Sequence, residues 1–261
     1  MEDLSKISGY SASKIKRLIY HWLSKESIDS SVSLNQIKYL VYDATYFHKD
    51  GCFAIVFDPV KQQIIKTLYC HREGHNQVIA WFGILKENGL NPLYISMDGE
   101  QGVMRAFKSI WPQVRIQRCL FHVQHEGCRW LRRNPDTEAA KTLKKLLIKL
   151  TNITSVKEQK QFTNHFKFWK KKHQEFVKSL PQNITANVDI HKTITLITRA
   201  LPDIFYYIND PKIRSTSNII EALNGRIKKA YRQHQGLTHK HKIQFLNWYC
   251  YYENQHKTNI L

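Results

Sequence analysis

Three acidic residues, Asp43, Asp98 and Glu221, have the types and settings needed for metal-assisted chemistry. Asp43 sits in Tyr39-Leu40-Val41-Tyr42-Asp43-Ala44-Thr45-Tyr46, apolar on both alternating sets, the pattern of a strand covered on both faces. A carboxylate there is costly to desolvate unless it is paired or binds metal. Asp98 closes Leu93-Tyr94-Ile95-Ser96-Met97-Asp98-Gly99, at the carboxyl end of a buried strand, where open α/β sheets gather their ligands. Its plainer reading is an Asp-Gly turn, or a cap on the helix that follows. Glu221 follows Asn218 by three residues, close to a capping box. On that helix Ile219, Ile220, Leu223 and Ile227 form an apolar stripe, and Glu221, Asn224, Lys228 and Arg232 share another face. Three carboxylates from two strands and a helix can hold two divalent ions for in-line displacement at a phosphodiester. Oxygen ligands of this kind favour Mg²⁺, with Mn²⁺ as a substitute.

Cys119, His122, His125 and Cys128 recur every three residues, which invites a zinc reading. Steps of three along a helix rotate each residue by about 60° from the last, so four ligands converge only if the chain bends between strand and helix. The preferred expectation is that Cys119 and His122 finish the fifth strand beside the acids, with His122 near a reacting phosphate. The alternative is a packed cysteine beside a satisfied polar histidine.

These residues must be held by a scaffold, and its elements are legible. Strands are expected over 37–47, 52–58, 63–71, 93–97 and 114–120, and helices over 76–88 and 101–111, with turns at 48–51 and 58–59. Three antiparallel strands followed by strands alternating with helices indicate a mixed five-stranded α/β sheet flanked by helices. From 124 the pattern becomes Lys-rich and helical, as at Leu143, Leu146, Leu147 and Leu150, until the last core helix begins near Asn218. The N-terminus reads as a short helical hairpin broken at Gly9, with Leu4, Ile7, Ile15, Leu18, Ile19 and Trp22 on one shared apolar face. It resembles the second half of a helix-turn-helix whose later helix carries Lys14, Lys16 and Arg17 towards DNA. The usual first helix is missing at Met1, so an N-terminal portion is expected to be absent from the chain. The expected division is 1–25 DNA-binding segment, 26–35 linker, 36–123 first part of the core, 124–213 helical insertion and 214–261 C-terminal core helices.

Composition narrows the partner. Lys and Arg total 40 against 21 Asp and Glu in 261 residues, a net charge of +19, the footprint of a protein that meets a polyanion. No apolar run of 18 residues and no signal segment are present, so an intracellular protein without a membrane partner is expected, in the cytoplasm or nucleoid if bacterial. Five scattered cysteines fit reduced thiols. The runs Lys141–Lys149 and Phe166–Lys172 place cations beside aromatics and suit either phosphate tracking or a solvated helix face. Phe245–Tyr252 reads as core packing.

Four segments in order resemble the Mutator-like transposases, which include related bacterial insertion-sequence transposases. They are Tyr42-Asp43-Ala44-Thr45, Met97-Asp98-Gly99-Glu100-Gln101-Gly102, Gln117-Arg118-Cys119-Leu120-Phe121-His122, and Thr216 to Asn224 with Ile227-Lys228. The resemblance runs from about Tyr39 to Tyr252 and implies an RNase H-like core, with Asp43, Asp98 and Glu221 as its metal-binding triad. It also implies an all-helical insertion before the glutamate, and maps the family's Cys-x-x-His signature onto Cys119 and His122. Such proteins often carry a longer N-terminal DNA-binding region, sometimes a zinc module, and no Cys pair of that kind is present in this sequence. The function expected is hydrolysis of a strand at a transposon end, then attack of the freed 3′-hydroxyl on target DNA, without a covalent protein–DNA intermediate. Partners would be double-stranded DNA, contacted by Lys14, Lys16, Arg17, Arg118, Asn224, Lys228, Lys229 and Arg232, and at least one further copy of the chain. Rival expectations are a catalytically silent, transposase-derived DNA-binding protein and an RNase H-like nuclease that cuts without joining. A glycosidase is remote given the charge.

Overall fold

Ser11 accepts the Lys14 N–H at 3.3 Å and so starts helix α2 (Ala12–Leu23), which Gly9, at φ +68°, separates from α1 (Glu2–Ser8). The computed structural model describes residues 2–27, 33–48, 50–181, 183–234 and 236–258, and half of the expected linker, residues 28–32, lies outside them. The shared apolar face expected of the hairpin does not form. Leu4 and Ile7 are exposed and α1 buries no residue, whereas α2 turns Ile15 and Leu23 inward. The reason is the partner: α2 packs on the C-terminal helix, where the Trp248 indole N–H donates to the Trp22 carbonyl at 3.2 Å, and α1 reaches no apolar surface.

The sheet follows. Strands β1 (Tyr39–Tyr46), β2 (Cys52–Asp58) and β3 (Gln63–Cys70) form an antiparallel meander. Helix α3 (His75–Glu87) leads to β4 (Tyr94–Met97), and α4 (Gln101–Ile110) to β5 (Arg115–Arg118). The order is β3-β2-β1-β4-β5, with β1 parallel to β4 and β4 parallel to β5. Helices α5 (Leu120–Trp130), α6 (Glu138–Ile148), α7 (Val156–Ser179) and α8 (Thr185–Ala200) form a separate helical core. Then α9 (Asn218–Gln233) and α10 (His239–Thr258) return to the sheet. A five-stranded mixed sheet of this order with helices on both faces is the RNase H-like α/β fold.

Strand periodicity decides which face each residue serves. Leu40 and Tyr42 join Val78, Phe82, Val103 and Phe107 on the α3–α4 side. Val41 points the other way, to Ile220, Leu223, Ile227 and Leu246 of α9 and α10, and Asp43, two residues on, shares its parity. Every residue of β2 is buried because both faces are covered.

One boundary differs from expectation at the site. The fifth strand, expected to reach Leu120, ends at Arg118. Cys119 donates its N–H to the Met97 carbonyl at 2.7 Å and is already the N-cap of α5, and the next N–H, of Leu120, goes to Ser215 at 2.9 Å. The backbone there bonds to a different segment, so the ladder cannot continue.

Candidate active site

The parallel register of β1 and β4 brings two of the acids together. Val41 pairs with Ser96, and two residues further along each chain come Asp43, within β1, and Asp98, one residue past the end of β4, close enough for the Asp98 charge to act on Asp43. Asp98 is fixed from behind: its Oδ1 accepts the N–H groups of Gly99 (2.5 Å) and Glu100 (3.0 Å), and its carbonyl accepts the Arg118 Nε–H at 2.9 Å.

Helix α9 supplies the third. Ile220, Leu223 and Ile227 are at most 3 % exposed and anchor it to the sheet, each worth about 1.5–3 kcal/mol on burial. One turn beyond Glu221, the buried Asn224 Nδ2–H donates to Asp43 Oδ2 at 2.7 Å. Burial and then the Asp98 charge push the Asp43 carboxyl up to about 7; Glu221 adds to the rise, and the His122 charge and the Asn224 hydrogen bond oppose it. Going from 3.8 to about 7 amounts to about 4 kcal/mol against the ionised form, at 1.36 kcal/mol per unit. The apolar anchors outweigh that cost, so the helix holds its acid near the two aspartates.

His122 is the cation among these acids. It lies in the first turn of α5, not on β5, and its Nδ1 is 3.5 Å from Glu221 Oε1. The Cys119 hydrogen bond and charge, followed by the charges of Asp98 and Glu221, raise it to about 9 against the effect of burial. Burial pushes the Cys119 thiol up, but hydrogen bonds from His122 and Ser217 and the His122 charge bring it below the usual thiol range. Ser217 is the hub: its N–H donates to Cys119 Sγ at 3.3 Å, and its Oγ lies 3.5 Å from that sulfur, 3.5 Å from His122 Nδ1 and 3.2 Å from Glu221 Oε1. Ser217, not Asn218, is the N-cap of α9, and its side chain makes no capping bond. The near capping box expected at Asn218 and Glu221 is therefore not formed. The glutamate is held by the serine hydroxyl instead.

The other expected site residues are placed as follows. Lys14, Lys16 and Arg17 are exposed on α2, as are Lys229 and Arg232 on α9, and Lys228 is partly buried. Lys228 and Arg232 line, with Tyr46, Tyr231 and Lys242, a 450 Å³ recess further along α9. Arg118 and Asn224, expected at DNA, are both only 6 % exposed. They face inward, Arg118 onto the Asp98 loop and Asn224 onto Asp43, because helices cover both faces of the sheet. His125 stacks on Phe121 and Cys128 packs in the helical core, so they leave Cys119 and His122 at the turn.

Two further residues, not expected at the site, belong to this neighbourhood. Ser217 is one, four residues before Glu221 at a helix start, a spacing that could have pointed to it. Glu73 is the other: its carboxylate accepts the hydroxyls of Tyr42 (2.9 Å) and Tyr46 (3.4 Å), and burial with the charges of Asp98 and Glu100 raises it to about 7. No spacing in the chain signals that contact.

The donor set suits a hard divalent cation. It offers carboxylate oxygens on three elements and an excess of negative charge that Asp43 relieves by holding its proton. The Asn224 Oδ1 is buried without a hydrogen-bond partner among the described residues, an acceptor that a hydrated ion would satisfy.

Among the described residues no helix is long and apolar enough to cross a membrane. No curated protein sequence matches the chain. A family model, transposase of the Mutator family, matches residues 53–242, well over half of its length, from within β2 to the start of α10 and spanning Asp98, Cys119, His122 and Glu221. Asp43 lies ahead of the matched stretch, on the strand that pairs with β2 in register. The chain belongs to the Mutator family of transposases.

Proposed function

We propose that the protein is a DDE-type transposase in which Asp43, Asp98 and Glu221 hold two Mg²⁺ ions, or Mn²⁺, and that it cleaves transposon ends and joins them to target DNA. The observation that carries this reading is the electrostatic convergence of two acids, Asp98 just past β4 and Glu221 on α9, upon Asp43 within β1. When bound, such ions activate the attacking oxygen and stabilise the leaving one at a phosphodiester.

The residues of the chain do the rest. Asn224 holds one oxygen of Asp43 in place, and Arg118 holds the loop that presents Asp98. Ser217 donates to one oxygen of Glu221 and so positions the carboxylate. His122, charged and 36 % exposed, stands where it can neutralise a phosphate oxygen or give a proton to a leaving group. Lys228, Lys229 and Arg232 extend from Glu221 along α9 and supply contacts for the backbone of double-stranded DNA. Holding two element ends together calls for at least two protomers.

The test supplies labelled terminal-repeat DNA and Mg²⁺ or Mn²⁺ to the wild type and to Asp43→Ala, Asp98→Ala and Glu221→Ala. Metal-dependent joined products from the wild type alone are expected. Cleavage without joining would identify a nuclease. Binding without cutting, unchanged by the substitutions, would identify a silent DNA-binding protein.

A further inference from the structure

Beside the oxygen-rich acid cluster lies a second set of donors of different chemistry. Cys119 Sγ, a ring nitrogen of His122 and a Glu221 carboxylate oxygen all lie within 4.8 Å of one another. They come from the β5–α5 turn and the first turn of α9, two segments tied together by the Leu120 N–H to Ser215 carbonyl bond at 2.9 Å. We infer that these three atoms form a binding site for a thiophilic divalent ion, Zn²⁺, distinct in chemistry from the Mg²⁺ site and sharing Glu221 with it, so that zinc acts as an inhibitor. This inference rests on the reading of Glu221 as a member of the acid triad only for its consequence, not for the binding.

Geometry supports the site. A tetrahedral zinc with usual bond lengths places an imidazole nitrogen and a carboxylate oxygen about 3.4 Å apart, and a sulfur and a nitrogen about 3.6 Å apart. His122 Nδ1 and Glu221 Oε1 are 3.5 Å apart already, and Cys119 Sγ lies within 4.8 Å of a ring nitrogen and a carboxylate oxygen of these two residues.

One serine contacts all three donors: the Ser217 Oγ lies 3.5 Å from the sulfur, 3.5 Å from His122 Nδ1 and 3.2 Å from Glu221 Oε1, and the Ser217 N–H donates to the sulfur at 3.3 Å. A neighbour placed in this way orients the ligands of a bound ion. Thiolate and imidazole together select zinc over magnesium, and a fourth position is left for water. Binding releases to solvent the protons that the thiol and imidazole carry. The bound ion would draw Glu221 towards α5, away from Asp43 and Asp98.

Co²⁺ serves as the probe, since a thiolate ligand gives it a near-ultraviolet charge-transfer band and a tetrahedral site gives strong visible bands. The wild type should bind one Co²⁺ with both signatures and be displaced by one Zn²⁺. Cys119→Ser should lose the charge-transfer band, and both Cys119→Ser and His122→Gln should weaken zinc by about 100-fold or more. Cys128→Ser, whose sulfur packs in the helical core, should bind as the wild type does. Circular dichroism checks each fold; His122→Gln, altered at a side chain 36 % exposed, carries the test if Cys119→Ser does not fold. A cobalt spectrum without thiolate character, or zinc affinity unchanged in the folded variants, would overturn the site. In the strand-cleavage assay, micromolar Zn²⁺ against excess Mg²⁺ should inhibit the wild type. Tight zinc binding without inhibition would overturn the regulatory half alone. Loss of the Mg²⁺ reaction itself would count against the triad, and leave the cobalt result standing.

Discussion

Asn224 on α9 donates to Asp43 on β1 across 2.7 Å, and through this bond the helix that carries Glu221 is tied to the strand that carries the first acid. The bond favours the ionised carboxylate, in opposition to burial and to the Asp98 charge. A cation and a proton compete for the same oxygens, so whatever favours ionisation favours metal.

Replacing Asn224 with alanine should therefore let the proton win at higher pH. The acidic limb of the cleavage profile should move towards alkaline pH, and the Mg²⁺ needed for half-maximal rate should rise about 10- to 100-fold. Rates measured over a grid of pH and Mg²⁺ concentration check both; a variant with an unmoved limb and an unmoved Mg²⁺ requirement would refute the coupling.

The metal-free protein should grow less stable as pH rises from about 4 to about 7. The folded Asp43 keeps its proton up to about 7, whereas in the unfolded chain it loses it near 3.8. Across that window the unfolded state binds fewer protons than the folded one, so rising pH favours unfolding. The contribution is at most about 4 kcal/mol at neutral pH. Urea midpoints in chelator at pH 5 and pH 7 should show this fall in the wild type and a smaller one in Asp43→Asn, where Glu73, also raised to about 7, still contributes. Adding Mg²⁺ should restore the wild type selectively, because only it binds the ion to the folded state.

Gly99 has φ +117°, and a Cβ there would lie 2.1 Å from the Arg118 guanidinium carbon. Arg118 is buried and holds the Asp98 carbonyl, so it has little room to withdraw. Gly99→Ala should lower the cleavage rate about 10- to 100-fold while leaving DNA affinity unchanged, with a stability cost of about 1–3 kcal/mol. Parallel binding and single-turnover assays separate the two effects; an equal loss in both would argue for general unfolding.

Within the helical core, Gly127 of α5 lets Leu147 and Thr193 approach, and an added Cβ would meet Leu147 Cδ1 at 2.7 Å. Gly127→Ala should cost about 1–3 kcal/mol by overpacking. In a Leu147→Ala background most of that penalty should vanish, which a double-mutant cycle of denaturant midpoints measures directly. Additive effects would show that the contact is not the cause.

What could be read from the chain divides along physical lines. Strands β1 and β2, and Asp43 within the first, were legible because a doubly covered strand must be apolar on both parities, which makes an aspartate inside one conspicuous. Helix α9 was legible for the same kind of reason, with Ile220, Leu223 and Ile227 repeating at helical spacing. The turn at Cys119 was not, since it is set by partners at Met97 and Ser215, residues distant in sequence. Nor was the inward aim of Arg118 and Asn224: a basic or amide side chain near an acidic site reads as a surface contact until the covering helices are known. Leu4 and Ile7 show the converse, an apolar periodicity that finds nothing to cover it. Glu73 joins the site only through Tyr42 and Tyr46, a relationship no local pattern carries.

The bond between the Leu120 N–H and the Ser215 carbonyl has a consequence for how such chains tolerate change. The peptide departs for its long helical detour and comes back at the same spot, so residues gained or lost in the loops between α6, α7 and α8 leave the position of Glu221 untouched. The strands enjoy no such freedom. Deleting one residue between Tyr39 and Asp43 would turn the aspartate to the opposite side of the sheet. Length variants made on the detour should keep the reaction, and those made on β1 should abolish it.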